Sequence, residues 1–150
     1  MKVVLGCDKA GTEWLPVICK KLDAMGIENE ILYDGTVDGC DYPEAAFMVA
    51  EAVSAGKADK GILVCGTGIG MSIAANKVKG VLASVCGDCF SAEMTVVHNN
   101  SNVLCMGARV LGIELGLKIV EAYFSAEFEA GGRHERRVNA ILAKIVKHGK

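Results

Sequence analysis

Short apolar, β-branched runs alternate along the chain with longer stretches that repeat apolar residues at helical spacing. The apolar runs are KVVL at 2–5, EILY at 30–33, GILVC at 61–65, VLASVC at 81–86 and NVLCM at 102–106. The helical stretches cover about 12–25, 43–55, 70–78, 90–98, 112–125 and 133–148. This alternation predicts an α/β fold, a Rossmann-like three-layer α/β/α sandwich with a five-stranded parallel sheet.

The last helical stretch has a clear apolar stripe. Val138, Ile141, Leu142 and Ile145 share one face, and arginines and lysines occupy the other. An amphipathic helix at the end of the chain must cover an apolar surface, either its own sheet or a second subunit. With 150 residues, we expect one domain spanning 1–150.

Composition narrows the function classes. The chain is 51% hydrophobic with a net charge of −2, and its basic residues form no dominant block except near the C-terminus, which argues against a nucleic-acid partner. No apolar run approaches the roughly 20 residues that span a bilayer, and the N-terminus lacks the pattern of a secretory signal. Seven cysteines, an odd number, are typical of free thiols in a reducing compartment, so we expect a cytoplasmic protein.

A glycine-rich loop, Gly66-Thr67-Gly68-Ile69-Gly70, follows the third predicted strand. Parallel sheets bind ligands beyond the carboxyl ends of their strands, and the N–H groups of a loop that opens a helix suit an anion or an oxyanion. A purely structural turn stays open as an alternative. Dinucleotide binding is less favoured, because the spacing is G-x-G-x-G after the third strand rather than G-x-G-x-x-G after the first.

Cys65 stands where this strand ends and the loop begins, beside a helix N-terminus that favours a thiolate. Its position makes it a candidate nucleophile or base, although most apolar-flanked cysteines are core residues. Cys86 and Cys89 resemble a redox pair or half of a zinc site. The chain has no second C-x-x-C and only three histidines, so a structural pair is favoured.

Three basic residues outside the loop are further candidates. His98 precedes the fifth strand, and we expect it near the carboxyl edge of the sheet. Arg133 and Arg137 lie four residues apart, hence on one helical face. They form either a solvated helix start or a clamp for a phosphate group.

Five segments together resemble the ribose-5-phosphate isomerase B family, which includes galactose-6-phosphate and allose-6-phosphate isomerases. They are GCDKAG (6–11), DYPE (41–44), GILVCGTGIGMSIAANKVKG (61–80), HNNSNVLCMGARVLG (98–112) and GGRHERRV (131–138). The resemblance implies a metal-free aldose–ketose isomerase of the pentose phosphate pathway, without a cofactor, acting on ribose 5-phosphate through a cis-enediolate. It also implies a homodimer or a dimer of dimers with active sites at the interface.

The resemblance also implies roles for individual residues. Cys65 matches the base that moves the proton between C1 and C2, Thr67 with the loop N–H groups matches the enediolate site, and His98 matches the residue that assists ring opening. The positions that match substrate contacts are Asp8, Lys9, Tyr42, Gly66, Gly68, Ile69, Gly70, Asn99, Arg109, Arg133 and Arg137.

Two positions depart from the family pattern. Lys9 replaces a usual histidine, and Asn100 replaces a usual aspartate two residues after His98. These changes leave the substrate open: a tetrose 4-phosphate, allose 6-phosphate or galactose 6-phosphate are alternatives. A non-catalytic sugar-phosphate-binding subunit and a nucleotide-binding redox protein are the hypotheses from other classes.

Overall fold

Five parallel strands form one sheet at the centre of the protein. The computed structural model describes residues 1–36 and 41–144. The strands are β1 (Lys2–Cys7), β2 (Glu28–Tyr33), β3 (Lys60–Cys65), β4 (Ala83–Val85) and β5 (Val103–Gly107). Their order is β2-β1-β3-β5-β4, and each neighbouring pair is parallel. The predicted five-stranded parallel sheet is confirmed.

Helices cover both faces of the sheet. In the described ranges they are α1 (Trp14–Ala24), α2 (Tyr42–Ser54), α3 (Ile69–Ala75), α4 (Cys89–Asn99), α5 (Ile113–Ser125) and α6 (Arg133–Leu142). Helices α1, α4 and α5 pack on one face, and α2 and α3 pack on the other. Helix α6 lies against α4. The three-layer arrangement is therefore also as predicted.

Apart from the lysines that begin β1 and β3, the central strands carry only apolar residues and glycine, because both of their faces are covered. Leu5 and Val64 point into the core shared with α1 and α5, whereas Val4 and Leu63 point into the core shared with α2. On the first face, α1 and α5 approach closely at Gly116. A β-carbon at Gly116 would lie only 2.5 Å from Cζ3 of Trp14, so the glycine makes room for the indole ring.

Two elements are shorter than the sequence predicts. The strand expected over 81–86 is reduced to Ala83–Val85, and the helix expected over 70–78 ends at Ala75. The side chain of Asn76 accepts from the Ala83 N–H and donates to the Ala83 carbonyl, both at 2.8 Å. The Asn76 side chain thus bonds both backbone groups of Ala83. These hydrogen bonds take the place of those that a longer helix or strand would form.

The predicted apolar stripe of the last helix is divided. Val138 is buried, but Ile141 is 58% exposed and Leu142 is 45% exposed. Ile145 and the predicted end of the helix at 148 lie outside the described residues, as does Cys40. The protein therefore presents an apolar patch on α6. None of the helices in the described ranges combines the length and apolar character needed to cross a bilayer.

Candidate functional site

The glycine loop after β3 encloses the thiol of Cys65. Cys65 is the last residue of β3 and is 5% exposed. Gly68 has a φ of +79°, a left-handed conformation that side chains with a β-carbon rarely adopt. This turn brings the Gly68 N–H to 3.1 Å from Cys65 Sγ, to which it donates a hydrogen bond. The sulfur is thereby held as an acceptor inside the loop.

Other buried thiols are unsuited to accept a proton. Burial raises the pKa of Cys7 to about 12 and that of Cys86 to about 11, and it raises the pKa of Cys105 as well. These three thiols stay protonated at neutral pH. Cys86 and Cys89 are both free thiols, the first buried and the second half-buried.

Arg109 and Thr67 extend the loop toward β5. The Arg109 N–H donates to the Gly66 carbonyl at 3.0 Å, and the Arg109 side chain lies over the same residue. A β-carbon at Gly66 would lie 3.4 Å from Arg109 Cδ. The Thr67 hydroxyl accepts from the Ile69 N–H at 3.3 Å. A guanidinium, a hydroxyl and the backbone N–H groups of the loop therefore surround the end of β3.

The ends of β1 and β2 bring further predicted residues to the same edge. Asp8 and Lys9 follow β1, and the Asp8 N–H donates to the Val64 carbonyl at 3.3 Å. Tyr42 begins α2 and packs its ring on the loop, where a β-carbon at Gly70 would lie 2.7 Å from Tyr42 Cε2. Ten predicted site residues share this edge, and we call them the carboxyl-edge set: Asp8, Lys9, Tyr42, Cys65, Gly66, Thr67, Gly68, Ile69, Gly70 and Arg109.

His98 does not lie near this edge, so that prediction is wrong. It stands with Asn99 in the last turn of α4, and a helix that leaves the carboxyl end of a strand returns the chain to the amino edge. Asn100 ends the helix with a φ of 51°. Two residues later, the Asn102 carbonyl accepts from the Gly61 N–H at the start of β3, at 2.8 Å.

His98 belongs to a second cluster, built from α4 and α6. Its ring stacks on His134, with centroids 4.2 Å apart and an interplanar angle of 7°. Arg133 Nε donates to His134 Nε2 at 3.4 Å, and Glu129 Oε2 lies 3.6 Å from the same nitrogen. Burial of His134, and then the charges of His98, Arg133 and Arg137, lower its pKa, against the opposing effect of Glu129.

The predicted site is thus divided within one chain. His98, Asn99, Arg133 and Arg137 lie on α4 and α6, and we call them the amino-edge set. Sequence reasoning missed His134 and Glu129, because only the packing of α6 on α4 brings them to His98. The motif R-H-E-R-R at 133–137 places His134 beside Arg133, and this was the available signal for His134, whereas Glu129 lies outside the motif.

Comparison with known proteins points to one family. The chain matches the Ribose/Galactose Isomerase family over residues 3–141. It is 46% identical to ribose-5-phosphate isomerase B of Escherichia coli, over 95% of each chain. It is 39% identical to D-erythrulose-4-phosphate isomerase 2 of Mycolicibacterium smegmatis, over 95% of this chain and 96% of that one. A solved structure of ribose-5-phosphate isomerase B from Mycoplasma genitalium with bound ribulose-5-phosphate matches with a TM-score of 0.88 and 37% identity, covering 94% and 93% of the two chains.

Proposed function

This chain belongs to the ribose/galactose isomerase family, and from that premise we propose that it is a metal-free aldose–ketose isomerase that interconverts ribose 5-phosphate and ribulose 5-phosphate. The observation that carries the proposal is the thiol of Cys65 held in the glycine loop by the Gly68 N–H. We also place the enzyme in the cytoplasm, which agrees with the free thiols of the described cysteines.

The reaction needs a base and a group that receives negative charge, and the loop supplies both. In our proposal Cys65 removes the proton from the carbon next to the carbonyl and returns it to the neighbouring carbon. The hydroxyl proton on the first of these carbons passes to the former carbonyl oxygen, so that the carbonyl group moves by one carbon. The electron pair moves onto the carbonyl oxygen, which becomes the enediolate oxygen. The Thr67 hydroxyl and the loop N–H groups stabilise this oxygen as its charge forms, because they are already oriented before the reaction begins.

We propose that two chains complete the site. The carboxyl-edge set of one chain holds the base, and the amino-edge set of its partner supplies the remaining contacts. There His98 assists ring opening, Asn99 contacts the sugar, and Arg133 and Arg137 bind the phosphate. A two-fold axis would form two such sites at once. The exposed apolar side chains of Ile141 on α6 and of Ile69 and Ile73 on α3 support a homodimer or a dimer of dimers.

The substrate test follows directly. Purified protein in the presence of EDTA should convert ribose 5-phosphate to ribulose 5-phosphate, and failure to do so would contradict the proposal. The Cys65→Ala variant should lose about 10²–10⁴-fold in turnover, because the base is removed. The Cys19→Ala variant is the matched control, since Cys19 is a half-buried thiol on α1, and it should keep its activity.

A second candidate keeps the chemistry and changes the sugar. Lys9 and Asn100 depart from the family pattern, and one relative is named for a tetrose phosphate. A panel of four- to six-carbon sugar phosphates separates these candidates by kcat/KM. A higher value on D-erythrulose 4-phosphate, or on allose or galactose 6-phosphate, than on ribose 5-phosphate would replace our first choice.

A further inference from the structure

We propose that His98, Glu129 and His134 form a binding site for a divalent transition-metal ion such as Zn²⁺, and that an ion bound there inhibits the isomerase. Each residue offers one ligand atom, and the three atoms lie within 4.8 Å of one another. The inhibitory part of this proposal rests on the proposed function, whereas the binding part does not.

The donor set suits zinc. Two imidazole nitrogens and one carboxylate oxygen are a common set of protein ligands for this ion, with a fourth position left open. Around a tetrahedral ion with bonds of about 2.0–2.2 Å, ligand atoms stand about 3.4 Å apart, so the group must contract by on the order of 1.4 Å. The Glu129 side chain is 64% exposed and His98 is half-buried, so both side chains have room to move.

The backbone already holds the third ligand beside the first. The Glu129 N–H donates to the Val97 carbonyl at 3.0 Å, so the segment after α5 is fastened to the last turn of α4 next to His98. His134 is 7% exposed and stacks on the same ring. Three separate segments therefore bring these side chains together on backbones that are held by packing. To bind one ion, the two stacked rings rotate out of their parallel arrangement, so that the lone pairs in the two ring planes converge.

Some of the charges around the cluster favour binding of a cation, and others oppose it. Burial, His98 and the two arginines lower the pKa of His134, which keeps its imidazole neutral and able to bind a metal. Arg133 and Arg137 repel a cation, whereas the carboxylate of Glu129 attracts it. The hydrogen bond from Arg133 to His134 is long, at 3.4 Å, so an ion displaces it at small cost.

The consequence for turnover follows from the role proposed for His98. That imidazole must exchange a proton with the sugar ring oxygen during ring opening. A nitrogen bound to a metal ion has no lone pair left to accept a proton. An ion at this cluster therefore blocks the amino-edge set without touching Cys65.

Histidine ring signals in NMR spectra test binding independently of activity. The chain has three histidines, His98, His134 and His148. On titration with Zn²⁺, we expect the ring signals of His98 and His134 to shift together. If both stay unchanged while Zn²⁺ binds elsewhere, for example at thiols, the site does not exist.

Two matched variants test the third ligand. Glu129→Gln should weaken Zn²⁺ binding by at least about tenfold and leave activity without the ion unchanged. Glu127→Gln, at an exposed position two residues away, should bind like the wild type. Equal binding by both variants would overturn the assignment of Glu129.

Inhibition is measured on the same proteins. The Zn²⁺ concentration that halves turnover should rise at least about tenfold in Glu129→Gln and stay constant in Glu127→Gln. Inhibition without a shift of the two ring signals would place the inhibitory ion elsewhere and overturn the second part of the proposal. If the protein turns over no sugar phosphate, the proposed function fails, and the NMR titration still decides the metal site.

Discussion

Mixing two inactive variants tests whether each active site draws on two chains. Near the start of β3, the Gly61 N–H donates to the carbonyl of Asn102, which follows the turn after α4. Cys65 ends the same strand four residues after Gly61. At about 3.3 Å per residue this separation is about 13 Å. Cys65 and His98 of one chain therefore lie toward opposite edges of the sheet, and we expect them to serve different active sites.

The experiment mixes Cys65→Ala chains with His98→Asn chains. Each variant alone has a defect in both of its sites, and we expect each to retain about 1% of wild-type turnover or less. When equal amounts are unfolded and refolded together, random pairing makes about half of the dimers mixed. Each mixed dimer has one intact site and one site with both defects. About one quarter of all sites are then intact, so turnover should recover to roughly 25% of wild type.

The assay is the rate of ribulose 5-phosphate formation as a function of mixing ratio. Activity should follow the product of the two chain fractions, with its maximum at equal amounts. The control mixture combines Cys65→Ala with the double variant Cys65→Ala/His98→Asn and should stay inactive. Two different affinity tags establish that mixed dimers have formed. Tagged mixed dimers without recovered turnover would refute the shared site.

Three single substitutions test the packing of the loop and of the core. Gly68→Ala puts a β-carbon at a φ of +79° and 3.0 Å from the Met106 carbonyl carbon, so the free energy of unfolding in urea should fall by about 1–2 kcal/mol or more. Tyr123→Phe removes a hydroxyl that donates to the Ser101 carbonyl at 2.8 Å. We expect a loss of about 1–3 kcal/mol in the same assay, and an unchanged midpoint would contradict this. Burial lowers the pKa of Lys60 from 10.5 to about 8, so this side chain binds fewer protons in the folded chain than in the unfolded chain between these values, and its contribution to stability rises with pH there. The raised pKa values of the buried thiols act in the opposite direction at high pH in both proteins. In urea titrations at pH 7.5 and 10, wild type should therefore gain stability relative to Lys60→Met, and an unchanged difference would contradict this.

Much of the fold was predictable because the central strands are covered on both faces. Continuous apolar runs such as 61–65 are typical of such strands, and the gaps between them have room for helices. Strand order was not predictable, since an apolar run does not indicate which other runs it pairs with. The boundaries of β4 and α3 depended on the side chain of Asn76, whose partner at Ala83 is seven residues away.

The candidate site was predictable in its parts and not in its arrangement. Cys65 could be singled out because strand ends and glycine turns are local features of a sequence. The position of His98 was misjudged because it depends on the direction of α4. This helix runs from the carboxyl edge of the sheet back to the amino edge, and His98 stands near its end. The pairing of His98 with His134 depends on how α6 docks, and no local pattern encodes that.

The close approach of Trp14 to Gly116 gives the protein a built-in optical probe. The chain has one tryptophan, so its fluorescence reports on a single place. That place forms only when two helices separated by about a hundred residues come together. During synthesis, Trp14 is made long before Gly116, so the indole can be shielded from water only after most of the chain has been made. A change in its emission therefore marks the completion of long-range docking, rather than the formation of the helix that carries it.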